Sequence, residues 1–203
     1  MTFENWLMLL FACMVMSFSP GPNAILTLTT TIRTGSQAGM KIVLGSILGF
    51  TCLILFAMFG LATVFKHLPY LIFLIKVLGA IYLLYLAYLQ LKNSKPLQLN
   101  TDDHINQTYL KSKGFYLAIS NPKIILFWIA FVPTIIHAPS LSITTLLVVV
   151  ITFIVVEAIA ETMMVVLGKG IQPFLSKHLV KIEKLGACIF ILFSGLIIQS
   201  LYQ

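Results

Sequence analysis

The chain alternates between long apolar stretches and short polar connections. A helix needs about 20 apolar residues to cross the roughly 30 Å hydrocarbon core of a bilayer. Lipid offers the backbone no hydrogen bonds, so continuous apolar runs predict helices rather than the alternating strands of a barrel. Six stretches reach or approach this length: Phe3 to Thr31, Met40 to Phe65, Tyr70 to Leu91, Phe115 to Ile136, Leu141 to Leu167 and Leu185 to Leu201. We predict an all-α, polytopic membrane protein with about six transmembrane helices.

The most polar stretch, Lys92 to Lys113, separates three apolar segments from three others. It predicts a single transmembrane transporter domain with a first repeat over residues 1–91, a central loop over 92–113 and a second repeat over 114–203. Because each half has three spans, the two halves would insert with opposite topology. This is the inverted-repeat arrangement of many secondary transporters.

Composition excludes a water-soluble domain, and the placement of the basic residues predicts the membrane topology. The chain is 59% hydrophobic and 9% charged, whereas soluble domains have about 25% charged residues. The net charge of +7 does not indicate nucleic-acid binding, because the basic residues are scattered between apolar stretches. Most of these basic residues lie in the first, central and fifth connections. Since positive loops stay in the cytoplasm, six crossings would place both termini outside.

Each half begins with a polar, proline-containing interruption of an apolar helix. The first contains Pro20, Gly21, Pro22 and Asn23, and the second contains Asn121, Pro122 and Lys123. Proline removes a backbone donor and glycine adds freedom, so both helices should kink or unwind. Half-helix ends present dipole charge and free backbone groups to substrates in secondary transporters. We interpret these seven residues as a candidate substrate site, although proline and glycine are also simply common in membrane helices.

Three charged residues lie within the apolar segments of the second half. A cation in hydrocarbon is costly unless it is paired, so Lys123 needs a partner such as a substrate carboxylate. The alternative is that Lys123 anchors the helix at the cytoplasmic end. Glu157 and Glu161 are four residues apart and therefore share one helix face. Intramembrane acids mark ion and proton pathways, so we predict that this pair couples transport to protons. A contact with a substrate amino group, or a structural pair, are the alternatives.

Taken together, these features resemble the LysE/RhtB amino-acid exporter family. The resemblance is carried by the run from Ser19 to Asn23, the later glycines at positions 35, 39, 45 and 49, and the Asn121, Pro122, Lys123 element. Length, apolar segments and the central loop are similar too, so it covers essentially the whole chain. It implies export of amino acids or close derivatives across a bacterial inner membrane, driven by a proton or ion gradient. It does not specify which amino acid.

Other classes of protein fit less well. The sequence contains no GxxxxGK[ST] motif, which an ATP-driven pump would need. The histidines are scattered near loops and far apart in the sequence, so we predict neither an enzyme nor a cofactor. The expected partners are an amino acid, protons and the lipid bilayer, with no nucleic acid. A homodimer is compatible with so small a carrier but is not indicated. The main alternative is an exporter of a metal or other cation that uses the two acids, and a third is an assembly protein.

Overall fold

The computed structural model describes residues 1–19, 21–67, 69–92, 109–135 and 142–201. The regular structure in these ranges is helical, which confirms the all-α prediction for this part of the chain. The helices are α1 (Phe3–Phe18), α2 (Pro22–Thr34), α3 (Ser36–His67), α4 (Pro69–Lys92), α5 (Leu110–Ile119), α6 (Pro122–Ile135) and α7 (Ile143–Gln199). Helix α7 has a break at Gly168, where φ is 40° and ψ is −119°.

Local chemistry accounts for several helix ends. The side chain of Thr2 accepts a hydrogen bond from the backbone N–H of Asn5 and caps α1, and Ser142 caps α7 in the same way. Helix α2 begins with Pro22, whose missing N–H costs nothing in the first turn. It ends at Gly35, whose φ of 97° favours glycine.

Among the described residues, four helical segments are long and apolar enough to cross a membrane: Ser36–Gly60, Phe73–Lys92, Ile143–Gly168 and Val180–Gln199. A fifth crossing results if α1 and α2, which are bent by 49° relative to each other, form one span. The predicted fourth span corresponds to α5 and α6, of 10 and 14 residues. Most of the central loop, residues 93–108, the fourth connection, 136–141, and Pro20 lie outside the described residues.

The lysine-rich fifth connection is helical rather than a loop. Residues 169–184 continue α7 past Gly168 and include Pro173 within the helix. Lysine and glutamate are good helix formers, so a polar segment that leaves the bilayer can remain helical. Helix α5 likewise begins at Leu110, so the last residues assigned to the central loop are also helical.

Apolar side chains fill the interior and also cover the outside. Buried aromatic residues form the centre of the main core, with Trp128 and Phe153 packed edge to face at 5.2 Å between ring centroids. Phe50 packs on Phe153 at 5.8 Å in the same geometry. On the outside, Phe56 is 83% exposed. Large apolar side chains on the outer surface are expected where the surroundings are lipid.

Glycines bring α3 and α5 into backbone contact. A Cβ atom added at Gly45 would collide with the carbonyl oxygen of Lys111, and one at Gly49 would lie 2.5 Å from the oxygen of Phe115. From the other side, a Cβ at Gly114 would collide with the Ile42 carbonyl. Gly45 and Gly49 form a GxxxG spacing, which permits close packing of helices. This contact also fixes α5 beside the polar groups described next.

Candidate functional site

Lys123 joins the start of α6 to the end of α1. Its Nζ donates hydrogen bonds to the backbone oxygens of Ser19, at 3.1 Å, and Met16, at 3.3 Å. Residue 20 is a proline without an N–H, so the Met16 carbonyl lacks the donor of a continuous helix. The ammonium supplies this donor and suits the partial negative charge at a helix C-terminus. The ring of Phe190, 5.7 Å from Nζ to its centroid, lies on another side of the ammonium.

Asn121 shapes the beginning of α6. Its Oδ1 accepts a hydrogen bond from the backbone N–H of Lys123 at 3.1 Å, as an N-capping side chain does. Its own N–H donates to the oxygen of Ala118 at 3.2 Å and so closes the end of α5. Asn121 is 5% exposed. One residue therefore sets the position of the Lys123 backbone and holds the α5–α6 junction together.

Asn23 links α2 to α3 and α5. Its Nδ2 donates to the hydroxyl of Ser46 at 2.8 Å and to the Gly114 carbonyl at 3.4 Å. A carbonyl can only accept, so these contacts fix the orientation of the amide. The Oδ1 atom is thereby turned to a place where no donor among the described residues reaches it. Asn23 is 3% exposed, so this acceptor is buried as well as unpaired.

Glu157 and Glu161 lie in the interior on one face of α7, with exposures of 6% and 2%. Ser17 and Lys123 lie beside Glu157, and Ser46 lies beside Glu161. Within the described part of the chain, no hydrogen bond reaches Oε2 of Glu157 or either oxygen of Glu161. Burying a carboxylate without a donor is strongly unfavourable. Such groups are suited to take up a proton or a cationic ligand.

The structure brings most of the predicted site residues to one region. Asn23, Asn121, Lys123 and the two acids converge from α2, α6 and α7, while Gly21 caps α2 and Pro22 and Pro122 begin α2 and α6. Among the described residues, no group of three His, Cys, Asp or Glu side chains is placed to hold a metal ion.

Sequence reasoning placed Ser19 in the first interruption but missed the Ser46 hydroxyl and the Gln90 amide, which complete this cluster. Ser46, between the two packing glycines of α3, contacts Asn23 and lies beside Glu161. Ser19 accepts the Nε2 hydrogen bond of Gln90 at 3.1 Å, and this contact adds α4 to the region. Their only signal was a polar side chain inside an apolar segment, which is weak because serine is frequent in membrane helices.

A multi-helix membrane fold with ionisable groups buried at its centre is typical of membrane transport proteins. The family model for LysE type translocators matches residues 14–200. The chain belongs to this family.

Named relatives cover nearly the whole chain. It is 29% identical to the homoserine/homoserine lactone efflux protein of Salmonella typhimurium and 30% identical to that of Salmonella typhi, each over 98% of both proteins. It is also 27% identical, over 78% of both chains, to an uncharacterized membrane protein of Vibrio cholerae. No solved structure matches. Two of these relatives carry the names of efflux proteins rather than enzymes.

Proposed function

We propose that this protein is a secondary active exporter of amino acids or close derivatives, driven by proton antiport in a bacterial cytoplasmic membrane. Family membership and the two Salmonella relatives named for homoserine and homoserine lactone efflux support the substrate class. The observation that carries the proposal is the interior cluster of Lys123, Glu157 and Glu161, in which carboxyl oxygens lack donors. A translocator needs groups of this kind to exchange a charged solute for a proton.

The proposed cycle uses the two helix junctions together with the acids. The carboxylate of the amino acid meets Lys123 and backbone N–H groups at the junctions, among them that of Gly21. The ammonium meets Asn23 or one of the acids. Proton binding at Glu157 or Glu161 then favours one of two alternating states. The shift is limited to the difference in proton affinity between those states.

We also propose the inverted-repeat topology, with repeats over 1–91 and 114–203 joined by the loop over 92–113. In this arrangement α1 with α2, and α5 with α6, form the broken first and fourth spans. Two contacts support it: Trp6 donates to the hydroxyl of Thr152 at 3.2 Å near the starts of α1 and α7, and Gly168 approaches Thr31 near the end of α2. Basic connections then face the cytoplasm and both termini lie outside.

Topology and transport are tested separately. An alkaline phosphatase fused after the last residue should be active, and a green fluorescent protein there should be dark, if the C-terminus lies outside. The opposite pattern would contradict six crossings with external termini. A homodimer is not needed for the cycle, because one copy contains all of the proposed groups.

The decisive experiment measures amino-acid efflux from cells loaded with a dipeptide mixture. Wild type is compared with Glu157→Gln and Lys123→Ala at matched membrane abundance. Glu4→Gln and Lys177→Ala are the controls, because they make the same chemical changes at exposed positions. We expect selective efflux in wild type and both controls, and at least tenfold slower efflux in the two cluster variants.

Three other outcomes discriminate further. Failure of wild type to export any amino acid would refute the function and turn attention to the second candidate, export of a metal or other cation. That candidate shares the unpaired carboxyl oxygens of Glu157 and Glu161. Efflux unchanged in both cluster variants would retain the exporter and reject the mechanism. In proteoliposomes, an uptake rate that does not change with an imposed pH gradient would reject proton coupling.

A further inference from the structure

Acceptors outnumber donors on the Glu161 side of the cluster. The Nδ2 of Asn23 is already used by Ser46 and Gly114, which leaves Oδ1 as an unpaired, buried acceptor. Both oxygens of Glu161 are also buried and unpaired. Asn23 and Glu161 share one neighbour, the hydroxyl of Ser46. A hydroxyl has one hydrogen to give, so Ser46 cannot satisfy three free acceptors.

A fourth polar atom extends this region along α2. Thr27 lies one helical turn after Asn23, is fully buried, and its hydroxyl has no hydrogen-bond partner among the described residues. Buried polar groups are normally paired, and exceptions in a native fold call for an explanation. A ligand that brings several donors and positive charge would satisfy these atoms together. A primary ammonium has three N–H donors and no acceptor.

The Lys123 side of the cluster differs in its hydrogen bonding. Its ammonium already donates to the carbonyls of Met16 and Ser19. A substrate carboxylate that binds Lys123 has to compete with these two acceptors. A substrate ammonium that binds Glu161 and Asn23 competes with no donor except the Ser46 hydroxyl among the described residues. The two ends of an amino acid are therefore not equivalent in the site.

We propose that Glu161 and the Oδ1 of Asn23 form the subsite that binds the ammonium group of the transported solute, and that this contact, rather than the carboxylate contact, is the one the solute requires. The proposal rests on the exporter function proposed above. It defines the substrate class as small solutes with a primary ammonium, including esters and lactones of amino acids that have no free carboxylate. It also distinguishes the two acids, since Glu157 lies beside Lys123.

The test uses purified wild type in liposomes preloaded with unlabelled L-homoserine, with labelled L-homoserine outside and no pH gradient. Competitors are the methyl ester, the lactone, N-acetyl-L-homoserine and 4-hydroxybutyrate, which lacks the amine. Truncating one partner of a buried charge pair typically weakens binding by about 30-fold or more. We expect the two amine-blocked or amine-free compounds to compete at least that much more weakly, and the ester and lactone to compete within about tenfold of L-homoserine.

A variant series identifies the residue. Glu161→Gln should lose exchange, Glu161→Asp should restore part of it, and Glu4→Gln should match wild type. All variants are first checked for a single monodisperse peak in detergent. Competition by N-acetyl-L-homoserine as strong as by L-homoserine, or full exchange in Glu161→Gln, would overturn the subsite. So would exchange blocked by divalent cations but not by amines.

Failure of the exporter function has a different signature. If wild type exchanges neither L-homoserine nor any proteinogenic amino acid in the same liposomes, both proposals fall together. If wild type exchanges one of them but does not distinguish it from its N-acetyl derivative, the exporter stands and only the ammonium subsite is rejected.

Discussion

Two glycines on the same helix, Gly45 and Gly60 of α3, should respond in opposite directions to the same substitution. A Cβ at Gly45 would collide with the backbone oxygen of Lys111 and lie 2.8 Å from its carbonyl carbon and 3.0 Å from the Phe115 nitrogen. All of these atoms belong to backbone, so no side chain can rotate away and α5 itself must move. At Gly60, nothing lies within 4 Å of the added atom.

The magnitudes follow from these contacts. Overpacking of this kind costs about 1–3 kcal/mol, and replacing a helical glycine by alanine recovers up to about 1 kcal/mol. Gly45→Ala should therefore lower the free energy of unfolding by about 1–2 kcal/mol, whereas Gly60→Ala should raise it by about 0.5–1 kcal/mol. At roughly 2–4 °C per kcal/mol for a chain of this size, the two variants should differ in Tm by about 5–10 °C.

The assay heats each variant in one mild detergent and measures the fraction that remains monodisperse by fluorescence-detected chromatography. Transport supplies a second readout. Gly114, whose carbonyl contacts Asn23, lies on the helix that Gly45→Ala displaces. Gly45→Ala should thus also slow efflux, and Gly60→Ala should not. A rise in Tm for Gly45→Ala equal to that of Gly60→Ala would refute the close approach of α3 and α5.

Substitutions at three residues test the cluster by thermal unfolding in the same detergent. Lys123→Met should lower stability by about 1 kcal/mol, because the Met16 and Ser19 carbonyls lose their donor, a loss partly offset because no ammonium is buried. An unchanged Tm would contradict these contacts. Asn121→Ala should cost about 1 kcal/mol as a lost helix cap, and Asn121→Asp, which keeps the acceptor, should cost less. Glu161→Met should abolish efflux yet raise stability by about 1–3 kcal/mol, because unpaired buried acceptors are removed. A lower Tm for Glu161→Met would indicate that the carboxyl group is paired in the folded protein.

The sequence was most informative where backbone chemistry is local. Proline and glycine marked the two junctions, and α1 ends at Phe18 and α5 at Ile119, next to the predicted interruptions. The GxxxG spacing of Gly45 and Gly49 is typical of close helix packing, although it does not identify α5 as the partner. These features depend on the residue itself or on its nearest neighbours along the chain, so they can be read without knowing the fold.

The prediction from hydropathy was wrong where it took a polar segment to be irregular structure. The segment from Lys169 to Lys184 was interpreted as a connection because its charges cannot lie in hydrocarbon, but it is helical. Lysine and glutamate are good helix formers, so a polar segment can remain helical. Polarity along the sequence therefore does not mark the ends of helices.

The partners of the polar groups could not be predicted, because they depend on how helices rotate and pack. Lys123 and Met16 are more than one hundred positions apart in the sequence, and nothing local relates the ammonium to that carbonyl. Similarly, the contact of Asn23 with Ser46 requires the register of α2 against α3. The sequence identified which residues were chemically unusual, and the fold determined which of them act together.

The arrangement along α7 constrains how a solute could leave the polar cluster. Phe153 lies one helical turn before Glu157, and it packs against Trp128 and Phe50 on the side where α7 begins. The neighbouring Thr152 accepts a hydrogen bond from Trp6 near the start of α1, so this aromatic layer lies toward the side on which both helices start. In the proposed transport cycle, the Trp128 and Phe153 rings would form a barrier between Glu157 and that side. Since α7 carries both the carboxyls and one of these rings, a movement of α7 that depends on proton binding would act on the binding groups and on the barrier together.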